Sequence, residues 1–322
     1  MNSGTNKSRM RYVFQTSQFV LAVILIVFLL WKLDIGEVLK AFHTLSVGWL
    51  LLSWLCILSV FYCRALVLCW IAENKARLAP TRVFLLNILG SFFTNFLPSR
   101  AGGDLVKGVY LAEYFPSMSD AYAAMILQRL VGIVGAFAVI VIATLVLFPF
   151  KQALWVLVPA VVIVAGISVL AKFSELWETH RKSSWAMRME RFVITRLMLR
   201  LVDAMVIYRH EKRRFVAPFL FSMAITCQGI LGAFLAGRAV GSSATFTQIF
   251  VASTAAQISA FIPLTPGGLG VGESSFVLAC LSFGVPKEEA FATAVLVRLI
   301  LVSISLLGGA FYLFNPIRRN EP

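Results

Sequence analysis

Charge is scarce in this chain. Of 322 residues only 14% are Asp, Glu, Lys or Arg, while 59% are hydrophobic and the mean hydropathy is +0.85. Length alone would suggest about two soluble domains, but this balance excludes them. Histidine is nearly missing: the three present, His43, His180 and His210, lie outside the long apolar runs. No nucleophile–base pair and no Walker-type glycine loop can be found, so hydrolysis and nucleotide-driven chemistry have no residues to run on. Cysteine is also sparse. Cys56, Cys63, Cys69, Cys227 and Cys280 all sit within apolar segments, and none forms a CxxC pair or neighbours a histidine. That excludes a disulfide framework and a zinc site and leaves them as small packing residues. Neither a metal nor any other cofactor is expected, and the protein is not expected to be an enzyme.

What is present is a series of apolar runs, several about the 20 residues long that cross a hydrocarbon core. The first, at 12–33, is too long for a signal-peptide core and lacks a small-residue cleavage pattern, so it reads as a retained signal anchor. Full spans are expected at 13–33, 47–71, 119–148, 152–171, 215–238 and 289–314. The short mixed segment 34–46, which holds His43, is placed at the outer interface.

The net charge of +14 raises the question of nucleic acid. Its distribution answers it. Eleven Lys and Arg against five acids fall between Lys172 and Arg214, with smaller basic clusters at Lys7–Arg11, Lys75–Arg82 and Arg318–Arg319. The loops between these clusters are almost free of Lys and Arg. That alternation is the positive-inside pattern, which places the clusters and both termini in the cytoplasm and leaves no surface for nucleic acid. The loop 172–214 includes a basic helical stretch, 183–210, suited to lie on an anionic cytoplasmic leaflet.

Two segments do not fit as spans. Residues 83–118 and 245–284 each consist of a short apolar limb, a Pro/Gly break and another short limb. They read as helical hairpins that enter the membrane and leave on the same side. Parity between the basic clusters sends the first in from the cytoplasm and the second in from outside. The breaks themselves repeat. "FLPSRAGG" at 96–103 lies on "FIPLTPGG" at 261–268 with an offset of 165, and "DAYAAMILQRLV" at 120–131 lies on "EAFATAVLVRLI" at 289–300 with an offset of 169. The second block sets Arg129 on Arg298. The expected fold is therefore an all-α polytopic membrane protein, a single membrane domain of about six full transmembrane helices plus two re-entrant hairpins. Its inverted repeat has one copy at 12–148 and the other at 152–314.

Broken helices in inverted repeats place a substrate site near the midplane, where helix ends and freed backbone groups meet. Glycine there lets backbone turn and approach a ligand closely. Gly102, Gly103, Gly267 and Gly268 are the candidates. An arginine deep in a span costs about 2.5–3.5 kcal/mol on insertion scales, so Arg129 and Arg298 are expected to face a partner or a wet cavity. Entering from opposite sides, they offer a phosphate two successive binding partners. Arg100 and Lys107 add positive charge around the first break. Asp104 and Glu273 follow the two breaks and either pair with the arginines or carry a proton. Asn95, Gln128 and Gln257 are expected to be supporting donors at most.

The two break motifs, each followed by an L-x-R-L helix, resemble the lysylphosphatidylglycerol synthase transmembrane-region family across essentially the whole chain. That resemblance implies a flippase-like protein similar to the flippase module of the multiple peptide resistance factor. No aminoacyl-transferase region follows before Pro322, so lipid translocation is expected without lipid synthesis. The expected substrate is an anionic phospholipid, glycolipid or polyprenyl-phosphate lipid of the cell's inner membrane. The competing expectation is a lipid-binding scaffold that moves nothing. A lipid-synthesis enzyme or glycosyltransferase is the candidate protein partner for either.

Overall fold

The computed structural model describes residues 45–73, 76–96, 100–147, 212–259 and 270–314. Among these residues the chain forms eight helices: α1 Val47–Ala72, α2 Pro80–Phe96, α3 Arg100–Ala112, α4 Met118–Leu147, α5 Lys212–Ala239, α6 Phe246–Ser259, α7 Val271–Ser282 and α8 Lys287–Phe314. The polytopic all-helical expectation holds. The expected spans at 13–33 and 152–171, the interface segment 34–46 and the basic stretch 183–210 lie outside the described residues.

Four helices are long and apolar enough to cross a membrane: α1, and the stretches Met118–Val146 of α4, Val216–Ala239 of α5 and Lys287–Ala310 of α8. They fall where four of the six expected spans were placed. The remaining four are short, at 17, 13, 14 and 12 residues for α2, α3, α6 and α7. At 1.5 Å per residue they reach about 18–26 Å, less than the hydrocarbon core of about 30 Å. The order long, short, short, long thus occurs twice.

Packing divides the chain into two units. The first gathers α1 up to Ser59, Ile88–Val106 and Gln228–Arg318; the second gathers Val60–Asn87 and Lys107–Cys227. In the first unit, α1 and α5 approach through small residues. Buried Ser53 donates to the Gly232 carbonyl at 2.7 Å, and Cys56 Sγ to the Gln228 carbonyl at 3.3 Å. A Cβ on Gly232 would stand 2.6 Å from Ile57. Water-free helix pairing favours such contacts, although one interhelical hydrogen bond is worth only about 0.6 kcal/mol. The indole of Trp54 on α1 also donates to Ser303 Oγ on α8 at 3.1 Å. Cys280 is completely buried among Ile249, Ala252, Phe276, Val277, Phe291 and Ala294, where α6, α7 and α8 meet. Cys56 and Cys280 thus serve packing, as their apolar setting implies.

In the second unit, aromatic edges do comparable work. Trp70 meets Phe221 at 4.6 Å between ring centroids and Tyr62 meets Phe84 at 5.8 Å. Arg82 hydrogen-bonds the Tyr114 hydroxyl, and the Gln128 amide donates to the Arg64 backbone carbonyl. Gln128 therefore ties α4 to α1.

Candidate functional site

The second short-helix pair supplies the best-defined charged arrangement. Directly before α7 stands Gly270, whose φ of +80° belongs to the left-handed region that side chains resist. This sets the chain to enter α7. The third helical residue is Glu273, and its Oε2 accepts the Gly270 N–H at 2.9 Å. Glycine has no side chain to return the favour, so only this half of a capping box forms. A carboxylate at a helix start also opposes the positive end of the helix dipole.

The other carboxylate oxygen has a different task. Glu273 Oε1 lies 3.2 Å from Arg298 Nε on α8, with the two side chains only 19% and 22% exposed. One acid thus caps a helix with one oxygen and neutralises an arginine with the other. The guanidinium is not saturated by this contact. Among the described residues, the enclosed Nε and Nη2 atoms of Arg298 complete no hydrogen bond of good geometry. Nε has its charge compensated by proximity, while its N–H is poorly aimed. Of the two roles open to Glu273, the observed one is pairing.

The first pair is built on a closer helix contact. Helix α2 runs to Phe96 and α3 has begun by Arg100; 97–99 lie outside the described residues. Gly102 and Gly103 are therefore helical and do not form the turn expected of them. Gly103 instead presses against α2: an added Cβ would lie 2.1 Å from both the Gly90 carbonyl oxygen and Thr94 Oγ1. Thr94 itself donates to that carbonyl at 2.8 Å.

Counted at the offset of 169 that relates the following helices, Gly103 and Asp104 fall on Gly272 and Glu273. The two glycines have similar settings. A Cβ on Gly272 would point at the Ala256 carbonyl of α6, from 3.7 Å, as one on Gly103 would meet the Gly90 carbonyl of α2. The next helices agree as well. Asp120 in the first turn of α4 accepts from Ser117 Oγ at 2.6 Å, and Glu289 in the first turn of α8 accepts from Ser243 N–H and Oγ at 2.7 and 3.0 Å.

The remaining candidates are placed as follows. Asp104 and Lys107 stand three residues apart on α3 and so share a helix face, with Lys107 buried and Asp104 partly so. Arg129 lies 11 residues into α4 with an exposed side chain. Arg100 starts α3, and its side chain is outside those described, as is that of Asn95. Gly267 and Gly268 fall in 260–269, also outside the described residues. Gln257 is exposed on α6. Glu273 and Arg298 are joined by a defined contact. The sequence reading missed Gly270, Gly90 and Thr94, although the third glycine of the run 267–272 was a visible signal for the first of them.

Comparison with known proteins fits this architecture. The profile described as "Lysylphosphatidylglycerol synthase TM region" matches residues 16–309. A UPF0104 membrane protein of Pyrococcus horikoshii is similar at 25% identity over 332 aligned positions, covering 92% of this chain and 96% of the relative.

Proposed function

Because the chain belongs to the lysylphosphatidylglycerol synthase transmembrane-region family, we propose that it translocates an anionic lipid across the cytoplasmic membrane. Membership and the apolar helices make it a membrane protein of a family linked to lipid handling. The substrate class, the direction of entry and the transport step are this reading's own. The observation that carries it is Arg298: a guanidinium in a membrane helix, enclosed beside a short-helix pair, with nitrogen donors that no described residue satisfies. An intramembrane ionisable residue marks a substrate or ion pathway more often than a structural need. Its natural ligand is a group with several anionic oxygens, and a lipid phosphate supplies them.

In this reading α2–α3 and α6–α7 are re-entrant hairpins, since none of the four is long enough to cross alone. The two copies are inverted, the termini are cytoplasmic, and the membrane is the inner one. The protein performs no covalent chemistry; a lipid-synthesis enzyme or glycosyltransferase supplies its lipid.

The inversion has its own test. Single cysteines introduced at 76–79, between α1 and α2, are expected to react with an impermeant thiol reagent only after permeabilisation. Those at 283–286, between α7 and α8, should react in intact cells. Labelling of both sets from one face would remove the inversion.

Transport is tested by reconstitution. Proteoliposomes with a fluorescent phosphatidylglycerol in both leaflets are treated with impermeant dithionite. Active protein exposes the inner-leaflet probe and drives bleaching well past one half. A plateau at one half across a panel of anionic lipids would favour the scaffold role.

A further inference from the structure

We infer that Glu273 is a built-in competitor for the anion site at Arg298, so that a phosphate-bearing headgroup exchanges with this carboxylate and does not simply add beside it. This rests on the translocation reading and describes how the same site is regulated.

The division of labour between the two carboxylate oxygens makes exchange feasible. Oε2 holds the Gly270 N–H at 2.9 Å, while Oε1 lies against Arg298 Nε at 3.2 Å. A small rotation can release the arginine without uncapping α7. The arginine side is equally suited. Its enclosed Nε and Nη2 complete no hydrogen bond with the described residues, so one carboxylate oxygen compensates charge and leaves donors unspent. A phosphate presents several oxygens to the planar fork and satisfies more of them.

Glu273 also has no rival among its neighbours. On α6, α7 and α8 the only other acids are Glu288 and Glu289, in the first turn of α8. Glu289 is nine residues before Arg298, about 13 Å along the helix, and is occupied by Ser243. Exchange therefore keeps the arginine compensated both with and without substrate. It also sets a threshold: a headgroup must offer more than a single carboxylate oxygen to displace the internal acid.

The test uses the full-length protein in a neutral detergent, titrated with dihexanoyl phosphatidylglycerol and separately with inorganic phosphate, binding being followed calorimetrically. Glu273→Gln removes the competing charge, and its amide oxygen can still accept the Gly270 N–H. Binding of the lipid should tighten about tenfold, the value of one charge-assisted contact. Arg298→Gln should abolish saturable binding in both backgrounds. Should the Gln variant not purify as a single species, Glu273→Asp serves. Its shorter carboxylate can remain at the helix start but falls short of Arg298, so tightening is again expected.

Tightening for both probes or for the lipid alone supports headgroup exchange. Tightening for inorganic phosphate alone would assign the site to a free anion and overturn the lipid part. If Arg298→Gln abolished binding while neither Glu273 variant tightened it, the competition would be wrong. Leaflet exchange by the unaltered protein is read separately in liposomes, so that failure would leave the translocation reading standing.

Discussion

Replacing Arg298 by Gln is expected to slow leaflet exchange of an anionic lipid about ten- to a hundredfold per folded molecule. A charge-assisted hydrogen bond is worth about 1.5–3 kcal/mol, which gives that range. Arg298→Lys should recover only part of the rate, because lysine brings a point charge and no planar pair of donors. The arginine also neutralises Glu273, so its loss leaves a partly enclosed carboxylate and lowers stability. The double variant Arg298→Gln/Glu273→Gln separates the two effects. It should regain thermal stability without regaining exchange. A purely structural arginine predicts the reverse, with normal exchange in whatever folded protein survives. Arg129→Gln is the companion measurement. Loss in both variants supports two stations along the path, and loss in Arg298→Gln alone assigns the anion site to the second copy.

The second large effect is on the fold. Gly103→Ala should lower the unfolding midpoint in detergent, at a cost of about 1–3 kcal/mol, typical of overpacking. The added methyl would meet the Gly90 carbonyl at 2.1 Å, and backbone cannot step aside as a side chain can. Helices α2 and α3 must separate. The corresponding change in the other copy, Gly272→Ala, meets its carbonyl at an ordinary 3.7 Å. There the gain from replacing a helical glycine, about 0.5–1 kcal/mol, should leave stability unchanged or slightly raised. Equal losses at the two sites would show that the close α2–α3 contact is not what Gly103 provides. The pair of variants thus distinguishes a shared helix register from a shared energetic role.

These two sites show what the sequence could and could not reveal. Long apolar runs announce spans because only about 20 such residues satisfy the bilayer, and four of the expected spans appear as helices close to their expected bounds. The short limbs were legible for the same reason, being too brief to cross and interrupted by proline. Arg298 and Glu273 stood out as charges in apolar surroundings, and their pairing was among the two roles considered. What was not legible is how each glycine is used. A Gly-Gly pair soon after proline reads as a turn, yet Gly102 and Gly103 are already inside α3, because a helix tolerates glycine where another backbone comes close. Gly102-Gly103 and Gly267-Gly268 match as letters, while the offset of the following helices sets Gly103 on Gly272. The cap on α7 needed coordinates, since a glutamate three residues past a glycine is a common string and only the N–H geometry distinguishes a cap. Small-residue pairing, such as Ser53 with Gly232, depends on which helices are neighbours and carries no local signature.

The most direct measurement is a comparison of headgroups in one preparation. Proteoliposomes carry tail-labelled phosphatidylglycerol or tail-labelled phosphatidylcholine, and the initial rate of exchange into the dithionite-accessible leaflet is recorded for each. Fast exchange of the anionic lipid is expected, with slower exchange of the zwitterionic one and loss of the difference in Arg298→Gln. Exchange no faster than in protein-free vesicles, or equal rates for the two lipids unaffected by Arg298→Gln, would contradict this expectation.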